Sequence, residues 1–221
     1  VTVGTELVSG LRLDTNTAEV ASALFIAGYA VAETVSVADS VDAIARTISR
    51  LVDTYSLVVV TGGLGPTHDD VTREAAARAL SRPLERDPSL EEALLSRSLG
   101  HSDPQARAQM LRQADLVSGA RAIAPSVGTA LGQVIATGTG TLVLLPGPPA
   151  EMRPMLREFL GTGRDGAPFR MLRCVGITET DAQFAAQAVL GNSPGIGLTV
   201  LATPALVDVV LFDEGADEAA L

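Results

Sequence analysis

Residues 56–80 read SLVVV, TGGLGPTHDDVT and REAAARAL in succession, and this stretch decides the fold. The apolar, β-branched run at 56–60 predicts a buried strand. Residues 73–80 are rich in helix formers and predict a helix. The glycine-rich loop between them (residues 61–72) therefore lies at the carboxyl end of a strand, which is where open α/β sheets bind ligands.

The glycines of this loop indicate a ligand that carries phosphate. Glycine lets the backbone approach a ligand and adopt positive φ, and backbone N–H groups in such a loop cradle phosphate oxygens. We therefore expect four positions to bind substrate: Thr61, Gly62, Gly63 and Gly65. Because the chain contains no lysine, the loop is not of the Walker type, in which a lysine reaches the phosphates.

Two adjacent carboxylates in the same loop, Asp69 and Asp70, indicate a divalent cation, because hard cations take oxygen ligands. Thr72 is expected to contact the ligand or to brace these carboxylates. The alternative is that Asp69, Asp70 or Thr72 only caps the following helix. We favour ligand binding, since the glycines, a proline and both aspartates are packed between a clear strand and a clear helix.

The composition excludes several classes of function. The formal net charge is −10 and all 16 basic residues are arginine, which argues against a nucleic-acid-binding surface. A single cysteine, Cys174, allows neither an internal disulfide nor a zinc-binding cysteine cluster. We see no apolar run of membrane-spanning length and no signal peptide, so we expect a cytoplasmic protein without membrane contact.

Strand and helix patterns alternate along the first half of the chain. Strands are predicted at residues 1–3, 29–37 and 56–60, and helices after Asn16 and after Ser40. This alternation predicts an α/β fold whose sheet is mostly parallel with helices on both faces. Residues 4–10 are predicted to be a loop. Further on, the patterns predict a helical segment at 88–116 and strands at 120–124, 130–136 and 141–145.

The chain is predicted to form two domains. Residues 1–160 form the nucleotide- and phosphate-binding domain, 161–167 a polar, glycine-rich linker, and 168–221 a small α+β domain. Because the second domain is close to the lower size limit for an independent core, we expect it to lean on the first domain or on another copy of the chain. We therefore expect a homodimer.

Three loops are delivered to one edge of the sheet, and their polar residues complete the candidate site. The first carries Glu6, Asp14 and Asn16, the second is the glycine-rich loop, and the third carries Gly147, Pro148 and Glu151. Carboxylates can hold a cation and one further carboxylate can orient or deprotonate water. Two of these residues have structural alternatives. Asn16 could only cap a helix, and Glu151 could only complement a helix dipole.

Four motifs occur here in an order that identifies a family. They are GTEL, Gly10 and DTN within residues 4–16, the glycine-rich loop, GTA with Gly132 at 128–132, and LPGPPAEM at 145–152. The chain resembles the competence/damage-inducible protein A family (CinA), in the N-terminal region that contains a molybdopterin-binding-like (MoCF) domain. The resemblance covers nearly the whole chain. It adds Gly4, Thr5 and Gly128 to the expected substrate-binding residues.

The resemblance implies a fold and an activity. The fold is the α/β sandwich shared with molybdopterin adenylyltransferase and the molybdenum-insertion enzymes. The activity is hydrolysis of the ADP-ribose pyrophosphate with a divalent metal. Many members also carry a C-terminal nicotinamide-nucleotide amidohydrolase domain, which we expect this chain to lack. The third motif departs from the family pattern at Pro125 and Leu131, and a proline usual upstream is replaced by Val117, so that region is expected to bind ligand differently.

These observations favour a metal-dependent nucleotide pyrophosphatase, in which Glu6, Asp69 and Asp70 are catalytic and Asp14, Asp69 and Asp70 are metal ligands. One alternative is a pterin- or nucleotide-binding module related to molybdopterin adenylyl transfer or molybdenum cofactor biosynthesis, without hydrolysis. Another is a structural subunit whose pocket has decayed. The substrate-binding residues in the first hypothesis are Gly4, Thr5, Asn16, Thr61, Gly62, Gly63, Gly65, Thr72, Gly128, Gly147, Pro148 and Glu151.

Overall fold

A computed structural model of the chain describes residues 1–97, 103–161, 169–191, 193 and 195–213. The strands are β1 (Thr2–Val3), β2 (Ser36–Val37), β3 (Leu57–Thr61), β4 (Leu84–Arg86), β5 (Asp115–Val117), β6 (Arg121–Ile123), β7 (Gly132–Ala136), β8 (Thr141–Leu145), β9 (Phe169–Val175), β10 (Ile196–Thr203) and β11 (Leu206–Asp213). The helices are α1 (Thr5–Val8), α2 (Asn16–Ile26), α3 (Val41–Val52), α4 (Thr72–Ala79), α5 (Pro88–Arg97), α6 (Pro104–Leu111), α7 (Pro149–Leu160) and α8 (Glu179–Leu190). Within the described ranges, no helix has both the length and the apolar character needed to cross a bilayer.

The chain divides into two compact units, one made of Val1–Ala23 with Ala32–Thr162 and the other of Leu24–Val31 with Gly163–Leu221. The predicted linker at 161–167 lies outside the described residues except for Gly161. The domain boundaries at 160 and 168 stay a prediction. One difference is that Leu24–Val31, which includes the end of α2, groups with the second unit although it lies far from it in sequence.

The first unit is built on a six-stranded sheet in the order β2-β1-β3-β8-β7-β6. The first four strands pair in parallel, and β7 and β6 join antiparallel at one edge. The predicted α/β fold with a mostly parallel sheet is confirmed. The apolar run Leu57–Thr61 is β3, one of the two central strands of the sheet, and the residues from Val58 to Thr61 are buried. Strands covered on both faces need apolar side chains throughout.

Helix α3 shows how the sequence secures the packing around this sheet. Ser40 caps it by accepting a hydrogen bond from the Ala43 amide at 3.5 Å, as predicted for a residue of this type before an apolar stripe. Ile44 and Ile48 lie one turn apart and are both fully buried in the core. Burial of each such side chain contributes about 1.5–3 kcal/mol.

The strand predicted at 29–37 is shorter than expected. Only Ser36 and Val37 pair with β1, and the Thr2 amide adds a hydrogen bond to the Val35 carbonyl at 2.9 Å. Residues 31–34 are exposed, so the apolar alternation in this segment does not correspond to a buried strand face. The predicted loop at 4–10 also differs, because Thr5–Val8 form the short helix α1.

The pair β4 and β5 was not predicted. Leu84 pairs with Val117 and Arg86 with Asp115, and the helices α5 and α6 lie between these strands in sequence. The predicted helical segment at 88–116 therefore ends in a strand, and Val117 is buried in the main core. Each strand has three residues, which is too short for a periodic pattern to be recognised.

The second unit contains a three-stranded antiparallel sheet in the order β10-β11-β9 and helix α8. Thr178 caps α8 by accepting from the Asp181 amide at 3.1 Å. Ala182 on α8 packs with Val207 and Val209 of β11. Phe25 contributes to this unit from the early part of the chain, since its ring centre lies 5.0 Å from that of Phe169.

Candidate functional site

The three predicted loops meet at the carboxyl ends of β1, β3 and β8. Thr2 of β1 is in register with Thr61 of β3, and Thr61 is in register with Leu145 of β8. Because these strands are parallel neighbours, the loops that follow them open on the same edge of the sheet. There they enclose a cleft of about 350 Å³.

Eleven of the predicted site residues line this cleft: Gly4, Glu6, Asp14, Asn16, Thr61, Gly62, Gly63, Asp69, Asp70, Gly147 and Pro148. Five others, Thr5, Gly65, Thr72, Gly128 and Glu151, are not part of its lining. The roles assigned to all of them stay predictions. The structure nevertheless separates residues that can touch a ligand directly from residues that act through a neighbour.

The glycine-rich loop needs glycine at two successive positions. Gly62 and Gly63 have φ angles of 100° and 68°, which side chains strain to adopt. A Cβ at Gly62 would overlap the Val3 carbonyl, and one at Gly63 would overlap the Thr72 hydroxyl. Thr72 is fully buried, and its hydroxyl donates to the Gly62 carbonyl at 2.8 Å. Thr72 therefore braces the backbone of the loop from behind.

Asp69 and Asp70 converge on one hydroxyl group. Thr67 Oγ1 lies 2.5 Å from Asp69 Oδ1 and 2.6 Å from Asp70 Oδ2. A hydroxyl carries one proton, so it can donate to only one of the two carboxylates at a time. The hydrogen bond from Thr67, together with a backbone hydrogen bond, lowers the pKa of Asp69 and keeps it ionised. Two negative oxygens thus face the same point with one proton between them.

Asp14 has a different environment from the other carboxylates. It accepts hydrogen bonds from the Thr17 amide at 3.0 Å, the Thr17 hydroxyl at 2.6 Å and the Thr2 hydroxyl at 2.7 Å. The Ser36 hydroxyl lies 3.4 Å away. Burial raises the pKa of Asp14, but the hydrogen bonds from Thr17, Thr2 and Ser36 outweigh it, and the pKa is lowered. Asp14 thus ties together β1, β2 and the first turn of α2.

Asn16 is the first residue of α2, but its side chain reaches across the cleft. Nδ2 donates to the Gly147 carbonyl at 2.7 Å and lies 3.5 Å from Thr61 Oγ1. Its Oδ1 atom is buried and has no hydrogen-bond partner among the described residues. The alternative that Asn16 only caps the helix is therefore not the arrangement found, because Asp14 accepts the hydrogen bond from the Thr17 amide.

Sequence reasoning missed two charged residues that line the cleft, Asp39 and Arg12, and also Thr67 of the glycine-rich loop. Asp39 follows β2, and its Oδ2 accepts from the Thr5 amide at 2.7 Å, which holds the start of α1. Its position shortly after a parallel strand could have indicated it, because the predicted strand ends at Val37 as the observed one does. Among the described residues of the lining, Arg12 is the only basic one.

Gly128 and Glu151 lie together, away from the lining of the cleft. A Cβ at Gly128, whose φ is 77°, would overlap the Glu151 carboxyl group. Glu151 lies in the first turn of α7, as its structural alternative predicted. Burial raises the pKa of the Glu151 carboxyl above its ordinary value. This pair links the third motif to the fourth.

Two residues of the third motif depart from the family pattern. Leu131 is buried, and Pro125 is partly exposed.

The donor set can be tested for its fit to a divalent cation. Among the described residues, no group of three or more His, Cys, Asp or Glu side chains is placed to enclose an ion. Asp69 and Asp70 supply two adjacent carboxylates at the cleft. Mg²⁺ is commonly bound by one or two carboxylates with water and substrate phosphates filling its other positions. This pair fits such a cation, whereas Asp14 would have to give up existing hydrogen bonds to bind one.

Comparison with known proteins places the cleft residues within a known family of domains. Residues 1–164 match the family described as "Probable molybdopterin binding domain". A CinA-like protein of Fervidobacterium nodosum is 32% identical over 91% of this chain and 50% of its own length. A CinA-like protein of Citrifermentans bemidjiense is 41% identical over 81% of this chain and 44% of its own length.

Among solved structures, a CinA protein of unknown function from Thermoplasma acidophilum superposes with a TM-score of 0.65 and 34% identity, over 72% of this chain and 92% of that one. The chain spans about half the length of the curated relatives it matches.

Proposed function

This chain belongs to the CinA-like family and to the family of molybdopterin-binding domains, and on that premise we propose that it is a metal-dependent nucleotide pyrophosphatase. The substrate we propose is ADP-ribose or a closely related nucleoside diphosphate derivative. One observation carries the proposal. A glycine-rich loop with two positive φ angles stands beside a pair of carboxylates in one cleft at the carboxyl ends of parallel strands.

The reaction is hydrolysis of the diphosphate. The oxygen of one water molecule bonds to one phosphorus as the bond from that phosphorus to the bridging oxygen breaks. The bridging oxygen leaves with the other phosphate, and the protons of water end on the products and solvent. From ADP-ribose this yields AMP and ribose 5-phosphate, which together contain the substrate and one water.

The residues divide this work by position. The Gly62 amide donates to the Leu145 carbonyl at 3.0 Å. The backbone N–H groups that would hold the diphosphate are therefore those of the following residues, Gly63 to Gly65, where glycine at 63 excludes a side chain. Asp69 and Asp70 would hold the cation, which when bound would neutralise charge on the diphosphate. Glu6, an exposed carboxylate of the lining, is the group we assign to orient or deprotonate water. Asn16 and Gly147 would shape the opposite wall.

The experiment is incubation of the full chain with ADP-ribose in the presence of Mg²⁺, Mn²⁺ or EDTA, with chromatographic measurement of AMP and ribose 5-phosphate. We expect equal amounts of both products, formed only with a divalent cation. The matched control is the double variant Asp69→Asn and Asp70→Asn, purified in the same way to reveal contaminating phosphatases. Product formation at the same rate by this variant would overturn the proposal.

The second candidate is a binding module that holds a nucleotide or pterin without hydrolysis. The observation that favours it is that the described residues contain no enclosing group of three metal-ligating side chains. Equilibrium dialysis with ADP-ribose distinguishes the two functions. Stable binding with no AMP over hours supports the module, and AMP release supports the enzyme.

A further inference from the structure

Arg73 is a buried cation directly behind the glycine-rich loop. It is the second residue of α4, and only 1% of its surface is exposed. Its Nη1 atom donates to the Leu64 carbonyl at 2.5 Å, and its Nη2 atom donates to the Gly65 carbonyl at 3.0 Å. Arginine is rarely buried to this degree unless it is paired with an acid. Its partners here are backbone carbonyls of the loop.

The two hydrogen bonds constrain how the loop is presented. The guanidinium is a rigid planar fork, so the Leu64 and Gly65 carbonyls are held in a fixed relation to each other. In a trans peptide the N–H points opposite to the C=O. Since the Leu64 carbonyl faces Arg73, the Gly65 amide N–H is directed away from it. A loop that binds phosphate through N–H groups requires this orientation of its peptides.

Arg73 is also connected to the carboxylate pair through Gly65. A Cβ added to Gly65 would lie 2.5 Å from Asp70 Oδ2, so the Gly65 backbone is enclosed between the Arg73 guanidinium and the Asp70 carboxylate. Asp70 in turn accepts from the Thr67 amide at 2.8 Å. Displacement of Arg73 would therefore release the segment that carries the proposed cation ligands.

The charge of Arg73 is incompletely compensated. Its Nε atom has no hydrogen-bond partner among the described residues. The adjacent Glu74 forms its ion pair with Arg112 at 2.5 Å instead. Burial lowers the pKa of Arg73, while the charges of Glu74 and Asp70 partly oppose this. A buried cation without a close counter-ion is unfavourable, and an anion bound to the other side of the loop would reduce that cost.

We propose that Arg73 is a positioning residue that holds the glycine-rich loop in its phosphate-binding form and favours anions there through its buried charge. This inference rests on the proposed function only in that the loop binds a diphosphate. Arg73 does not line the cleft and therefore acts through the loop.

The test measures the affinity of the full chain for ADP with Mg²⁺ by calorimetry, together with the melting temperature without ligand. Arg73→Met is expected to weaken ADP binding by about tenfold, which corresponds to the loss of hydrogen bonds from a charged donor. Its unliganded melting temperature should fall, because the Leu64 and Gly65 carbonyls lose their donor. Arg73→Lys keeps the charge but not the fork, and should bind ADP with intermediate affinity. Arg78→Met, on the same helix but exposed and paired with Asp42, should bind ADP like the wild type.

The outcomes separate the two proposals. If the wild type binds ADP but releases no AMP from ADP-ribose, the proposed activity is overturned. The role of Arg73 is then decided by the ADP affinities of its variants. Arg73→Met with wild-type affinity for ADP overturns the role of Arg73 whatever the activity. If Arg73→Met does not fold, Arg73→Lys decides, and wild-type affinity in that variant overturns the proposal. Wild-type protein that binds no ADP overturns the role of Arg73, while release of AMP from ADP-ribose still decides the proposed activity.

Discussion

Asn16 Nδ2 donates a 2.7 Å hydrogen bond to the carbonyl oxygen of Gly147, a residue 131 positions further along the chain. The bond joins the loop after β1 to the loop after β8, on either side of the glycine-rich loop that follows β3. It leaves the buried Asn16 Oδ1 atom without a partner among the described residues. A buried acceptor of this kind is costly when unpaired, which makes it a candidate contact for a ligand donor.

We therefore predict that Asn16→Ala weakens ADP binding by about fivefold, since one hydrogen bond of roughly 1 kcal/mol between the two loops is lost. Asn16→Asp preserves the shape but cannot donate to the Gly147 carbonyl, and should be at least as weak. Calorimetric titration of both variants checks this. Wild-type affinity in both would show that the bond between the loops has no role in binding.

Removing one charge from the carboxylate pair tests the metal site. Asp70→Asn should raise the Mg²⁺ concentration that gives half-maximal ADP-ribose hydrolysis and lower kcat/KM by about 100-fold, with little change in melting temperature. Asp53→Asn, an exposed aspartate at the end of α3, is the matched control. An unchanged Mg²⁺ requirement in Asp70→Asn would remove Asp70 from the set of cation ligands.

Asp14 is expected to act on stability. Asp14→Asn should lower the free energy of unfolding by about 1–2 kcal/mol at pH 7, because the hydroxyls of Thr2 and Thr17 lose a charged acceptor. The folded pKa of Asp14 lies below its ordinary value of 3.8. Asp14 therefore contributes its full stabilisation of the folded state above pH 3.8. That stabilisation is lost as the pH falls through the folded pKa. Urea unfolding at pH 7 and pH 3 measures this difference.

The same variant also tests the metal role that we first assigned to Asp14. We expect Asp14→Asn to keep the wild-type dependence of activity on Mg²⁺. Full stability combined with a lost Mg²⁺ response would instead show that Asp14 is a cation ligand.

A side chain at Gly63 should damage the loop. Gly63→Ala places a Cβ on a backbone with φ of 68° and against the Thr72 hydroxyl. The positive φ alone costs about 1–2 kcal/mol, and the overlap would shift Thr72 away from Gly62. We expect a lower melting temperature and weaker ADP binding. Gly138→Ala, where a Cβ meets open space, should leave both unchanged. Equal behaviour of the two variants would show that the loop is only a turn.

Glu151 predicts a pH dependence of the opposite sign from Asp14. Burial raises its folded pKa above the ordinary value of 4.5, so the folded state holds the proton more tightly than the unfolded state. Stability from this group is complete below pH 4.5 and is lost as the pH rises through the folded pKa. Glu151→Gln should therefore melt at a higher temperature than the wild type at pH 7, and the difference should close near pH 4. Glu158→Gln, on the same helix but exposed, is the control. A constant difference at both pH values would contradict the raised pKa.

Local patterns in the sequence were sufficient for much of this architecture. The apolar run before Thr61 indicated a central strand, because strands covered on both faces read as continuous β-branched runs. The glycines at 62 and 63 marked a backbone that excludes side chains, and their φ angles confirm it. Parallel strands then bring their following loops to one edge, so the meeting of the three loops could be predicted without coordinates.

The partners of individual side chains were decided by the tertiary structure. Sequence reasoning assigned Asp14, Asp69 and Asp70 the same role, as carboxylate ligands of a cation. In the structure Asp14 accepts from hydroxyls of β1 and β2, while Asp69 and Asp70 converge on Thr67. The position of Asp39 in the cleft, the burial of Arg73 behind the loop and the grouping of Leu24–Val31 with the second unit also could not be predicted. Periodicity records which residues are buried along one element. It does not record which element, far away in sequence, supplies the hydrogen bond or the covering side chain, and that choice follows from strand order and register.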